Sequence, residues 1–119
     1  MNTKIHQQAE TRIAELVADH VIISNAEEGL QILVDLYYQD FDKIILHEIN
    51  ITPGFFDLKT GLAGEILQKF SNFRVQLVIV GTFSQYQGQS IKDFIFESNK
   101  GQLINFLPSV EEAKKKLFR

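Results

Sequence analysis

The 119 residues amount to one domain, and with 45% hydrophobic residues, ten phenylalanines among them, and 23% charged residues the chain has material for a core and is a poor candidate for disorder. A net charge of -3 lacks the clustered Lys and Arg excess that displaces counterions from phosphates, so composition argues against nucleic acid as a partner. Without cysteine there is no disulfide framework, no thiol nucleophile and no thiolate metal site.

The first residues, "MNTKIHQQAETRIAEL", lack the apolar core of a signal peptide, and no apolar run approaches the ~18 residues of a membrane span, so a cytoplasmic protein without a membrane segment is expected. Lys4 to Val17 reads as two short extended runs around "QQAET", a hairpin, and "HVIIS" as a further extended run. "SNAEEGLQILVDLYYQD" predicts a first helix. Ser24 or Asn25 can accept its free amides, Glu27 or Glu28 follows three residues on, and Leu30, Leu33, Val34 and Tyr37 share one stripe. "KIILHEINI", Lys43 to Ile51, predicts a strand buried on both faces.

"ITPGFFDLKTGLAGEILQKF" follows a proline turn with a helix from Asp57 to Phe70, burying Leu58, Leu62, Ala63, Ile66, Leu67 and Phe70. It contains Gly61 and Gly64, each costing about 1 kcal/mol against alanine in a helix interior. "RVQLVIVG" is the next buried strand, "TFSQYQGQS" a polar loop, and "IKDFIFESNKG" a third helix that Gly101 closes in a left-handed cap. "QLINFLPS" is the last strand. Ser109 then caps "VEEAKKKLFR", with glutamates at the positive and lysines at the negative end of the helix dipole.

No repeat or linker interrupts the chain, so 1–119 is a single α/β domain. Alternating strands and helices imply a mixed, mainly parallel sheet with an antiparallel N-terminal hairpin and about four helices. Ligands of such sheets meet the carboxyl ends of the strands, here His47 to Asn50, Gly81 to Ser84 and Leu107 to Ser109.

Over "FFDLKTGLAGEILQKFSNFRVQLVIVG", "SIKDFIFESNKG" and "FLPSVEEA" the chain resembles a bacterial family known as domain of unknown function 4180, which brings no activity with it. Thr82 and "YQGQS" depart from the acidic residue and serine-richer loop of that family's pattern. The element order, with "DLKTGL" opening the second helix, is also similar to the domain shared by sulfate transporters and anti-sigma-factor antagonists, the STAS domain. That resemblance implies a phosphorylated hydroxyl at Thr60, preceded by Asp57, which stands one residue further from Gly61 than the family spacing.

Candidate chemistry is sparse. His6, His20 and His47 include no pair with metal-ligand spacing, and neither a metal nor another cofactor is expected. In a strand His47 and Glu48 would point to opposite faces, leaving Glu48 either a base of raised pKa or a structural partner at the sheet edge. "GTFSQYQGQS" matches neither GxxxxGK[ST] nor GxGxxG. The expected function is therefore a STAS-like binding or regulatory module rather than an enzyme. Its expected surface is Asp57, Thr60, Gly61, Gly64, Glu65 and Lys69, docking a protein partner or a second copy. The alternative is a small-molecule or nucleotide pocket, with weak catalysis at most, at Glu48, Asn50, Thr82, Ser84 and Tyr86.

Overall fold

A computed structural model describes residues Met1 to Arg119. Its sheet has five strands in the order β1-β2-β3-β4-β5: β1 (Asn2–Gln8), β2 (Thr11–Val17), β3 (Lys43–His47), β4 (Gln76–Val80) and β5 (Ile104–Leu107). β1 and β2 form the expected hairpin, beginning at Asn2 and turning through Ala9 and Glu10, while β2 to β5 run parallel. Four α-helices accompany them: α1 (Ala26–Tyr37), α2 (Leu62–Asn72), α3 (Gln89–Lys100) and α4 (Val110–Leu117).

Each parallel strand lies beside its predecessor, so right-handed crossovers all step the same way and leave α1, α2 and α3 on one face. There Leu33 and Leu36 of α1 and Ile66 and Phe70 of α2 join Ala14, Leu16, Ile44, Leu46, Leu77 and Ile79 of the strands in the main core. α4 turns back over the other face, where Ala113 and Leu117 cover Ile13, Ile45, Val78 and Val80. The alternation of side chains along each strand separates the two sets.

Several expectations are corrected. β3 stops at His47 because the β3–β4 ladder ends at the His47–Val80 pair, and Glu48–Asn50 form a 3₁₀ turn. "HVIIS" is not a strand: only Ile23 bridges to Ile51, and the amides of Ile22 and Ile23 both donate to the carbonyl of Asn50. Tyr37 is 43% exposed rather than part of the α1 stripe, which buries Gly29, Ile32, Leu33 and Leu36. α1 is capped by Asn25, whose side chain accepts from the amide of Glu28, while Glu28 accepts from the amide of Ser24. Gly101 is extended (φ −89°, ψ −177°), not left-handed.

The predicted helix from Asp57 is broken. Pro53–Phe56 and Leu58–Thr60 are 3₁₀ turns, and Gly61 caps α2 with φ +77°, a left-handed conformation in which a side chain is strained. Neither glycine mediates packing, since a Cβ at Gly61 or Gly64 would meet nothing within 4 Å. The glycine that lets two helices approach is Gly29 of α1, where a Cβ would lie 3.3 Å from Ile66 of α2.

Candidate functional site

Past the His47–Val80 pair, the next residues of the two chain segments, Glu48 and Gly81, meet at the carboxyl edge of the sheet. Glu48 is 8% exposed and turns its carboxylate into the β4–α3 connection. There it accepts hydrogen bonds from the amide of Thr82 at 3.0 Å, from Gln85 Nε2 and from the Tyr86 hydroxyl. Position 81 must be glycine for this, because a Cβ would stand 2.5 Å from the Cβ of Glu48 and nearer still to Oε1. Burial, then the hydrogen bond to Glu48 and its charge, push the Tyr86 phenol well above its ordinary range. Tyr86 is thereby held as a donor, and Glu48 as the acceptor of three hydrogen bonds that tie it to the β4–α3 connection.

The ring of Tyr86 stacks on Phe56, centroids 4.7 Å apart and planes 16° apart, with Phe83 6.0 Å from Phe56. This aromatic wall borders a groove of about 450 Å³ whose other sides are Asp57, Leu58 and Lys59 and the first turn of α3, a turn that no side chain caps. A second groove of about 490 Å³ runs between β1 and the C-terminal end of α4, past Gln7, Gln8, Lys114 and Arg119.

The sequence-derived residues fall as follows. Of the strand-end set, Glu48, Thr82 and Tyr86 share one hydrogen-bonded cluster. Asn50 is directed elsewhere, its Nδ2 donating to the carbonyls of Ala18 and His20 at 2.9 Å each, and Ser84 is exposed and offers only its carbonyl, to Gln87. Of the α2 set, Asp57 accepts from the amide of Lys59, and Thr60 Oγ1 donates to the carbonyls of Gly54 and Asp57 and accepts from the amide of Leu62. Gly61, Gly64 and Glu65 are exposed along one side of the helix start, with Lys69 half-buried further along.

One cluster was not anticipated. On the α4 face of the sheet, Glu15 is 5% exposed and lies between two histidines, its Oε1 2.7 Å from His6 Nε2 and its Oε2 2.7 Å from His47 Nε2. Burial raises the Glu15 pKa, but the two imidazole hydrogen bonds and their positive charge outweigh it and hold the carboxyl below its usual value. The ring nitrogens address the carboxylate rather than a common centre, and no group of three His, Asp or Glu is arranged to hold a metal ion. The hairpin register, with His6 opposite Ile13, was a readable signal for the first contact; the second required the β2–β3 register.

A family model described as Domain of unknown function (DUF4180) matches residues 8–117. The chain belongs to the DUF4180 family. No curated protein and no solved structure matches it. The span of the DUF4180 model, from the last residue of β1 to the last of α4, takes in the Glu48–Tyr86 edge, the groove beside it and the whole of α2, and leaves out His6. No helix is long and apolar enough to cross a membrane.

Proposed function

We propose that this domain is a STAS-like regulatory binding module of the bacterial cytoplasm that docks a protein partner through the start of α2, with Asp57, Thr60, Gly61, Gly64, Glu65 and Lys69 as its surface. One observation carries the reading. Gly61 is explained by its own backbone, but Gly64 is explained by nothing inside the chain: it has no positive φ, and a Cβ there would meet open space. A glycine in the first turn of a helix that the fold does not require keeps the surface bare for a backbone arriving from outside. The adjoining groove, walled by Phe56, Tyr86 and Leu58, supplies apolar area next to that bare face. Glu48 and Tyr86, the best-placed acid and base by position, are occupied with each other, which favours binding over catalysis.

Thr60 suits a regulatory role on electrostatic grounds, since a phosphoryl group there would sit at a helix N-terminus, while the hydroxyl's donation to Gly54 and Asp57 would be lost. A second reading is favoured by the stacked Phe56–Tyr86 wall: a small planar ligand lying in the same groove, recognisable by a ligand-dependent rise in melting temperature.

The test is native mass spectrometry on protein purified gently from its host, alongside Gly64→Arg. A Cβ there meets nothing within 4 Å and arginine has the better helix propensity, so the variant is expected to keep the fold. Loss of a bound partner in the variant, at unchanged circular dichroism, is the expected outcome. Retention of every association by the folded variant would end the proposal.

A further inference from the structure

The two edges of the sheet are built differently. β5 has four residues and runs into Pro108, features that blunt an edge against further pairing. β1 has seven residues, pairs with β2 in one unbroken register, contains no proline and carries one charged residue, Lys4. At its midpoint Ile5 is 52% exposed. A long regular edge with an exposed isoleucine at its midpoint and a single lysine is only lightly protected against pairing with another strand.

We propose that β1 is the docking edge for a second copy of this chain, the two β1 strands pairing antiparallel about a two-fold axis at Ile5, so that two five-stranded sheets become one. The side chains select this register. Symmetric pairing about Lys4 would set Lys4 against the partner's Lys4, and pairing about His6 would set the two histidines against each other while Ile5 faced Gln7. Pairing about Ile5 sets isoleucine on isoleucine, Thr3 opposite Gln7, and Lys4 opposite the partner's His6. Like charges directly opposed are destabilising, and apolar pairs are favourable. His6 carries the carboxylate of Glu15 on its ring, so each Lys4 ammonium falls opposite an imidazole already paired with a carboxylate rather than opposite a free cation. Lys4 is available for this: it forms no ion pair in its own chain, where both oxygens of Glu15, across the hairpin, are taken by histidines. Alternate backbone amides and carbonyls of β1, which point away from β2, gain partners in the same step.

The test combines sedimentation equilibrium with a cross-link, which is clean because the chain has no cysteine of its own. The wild-type protein is expected to dimerise reversibly. Ile5→Lys, at an exposed position, should keep the monomer fold by circular dichroism and weaken the dimer at least about tenfold by setting two like charges face to face. Under mild oxidation Ile5→Cys should yield a disulfide-linked dimer. Thr3→Cys should not, because the two copies of that position lie four residues, about 14 Å, apart along the strand. A monomer up to near-millimolar concentration would overturn the proposal, as would a dimer indifferent to Ile5→Lys or one cross-linked equally well through Thr3→Cys. Gly64→Arg is expected to leave this dimer intact, so the fate of the α2 surface is decided separately.

Discussion

Glu15 shows how pairing makes a buried carboxylate tolerable. A carboxylate with 5% exposure is costly unless its oxygens are occupied, and here each accepts from an imidazole. Because the folded pKa lies below the ordinary value of about 4.5, the unfolded chain takes up the proton first as pH falls. The stabilisation is therefore complete above that value and is lost as pH drops through the folded pKa. Glu15→Gln is expected to cost about 2 kcal/mol near pH 7, the scale of hydrogen bonds to a charged group. Its deficit against wild type should shrink near pH 3. Urea unfolding at the two pH values measures this, and an equal deficit at both would show that the charge of Glu15 contributes nothing. Only the hairpin half of the cluster was readable beforehand, since His6 and Glu15 meet across β1 and β2 while His47 joins through the β2–β3 register.

At the scale of elements, alternation and periodicity made the strand and helix order, the hairpin and the mixed, mainly parallel sheet legible before any coordinates, because each rests on burial along one face. Boundaries failed where a tertiary partner decides them. β3 ends where β4 ends, and the α2 segment is interrupted where Gly61 enters the left-handed region. Pattern reading treated Gly61 and Gly64 as equivalent, yet their backbones differ. Gly61→Ala should destabilise by about 1 kcal/mol, because alanine is strained at φ +77°. Gly64→Ala should instead add up to about 1 kcal/mol, through helix propensity and a less mobile unfolded chain. Equilibrium denaturation of the two variants checks the opposite signs; two losses of similar size would mean that Gly64 is needed by the fold itself and would remove the argument for an external partner there. The candidate edge was partly legible in the same way. The strand ends of a parallel sheet pointed to Glu48, Thr82 and Tyr86, whereas the sharing of one carboxylate among them depends on Gly81 and on the 3₁₀ turn after β3.

The whole molecule is two unequal cores separated by one sheet. Three helices and 21 buried residues lie on one side, and α4 with a cluster of six on the other. The asymmetry follows from strand order, since a sheet wound in one direction puts every crossover helix on the same face and leaves only the chain's end to cover the reverse. Cooperative opening should follow the same division, because a unit's opening free energy tracks the apolar contacts it must break. Amides of α4 are expected to exchange through a sub-global opening at lower free energy than those of β3 and β4, which both cores bury. Leu117→Ala removes a fully buried side chain from the smaller core and should cost about 2–4 kcal/mol there. It should speed exchange in α4, while amides of α1 and α2 should speed up by no more than the loss of global stability dictates. Native-state hydrogen exchange resolves the two outcomes. If α4 and the central strands opened with a single free energy in wild type, the sheet would be transmitting packing between its faces and the molecule would behave as one core.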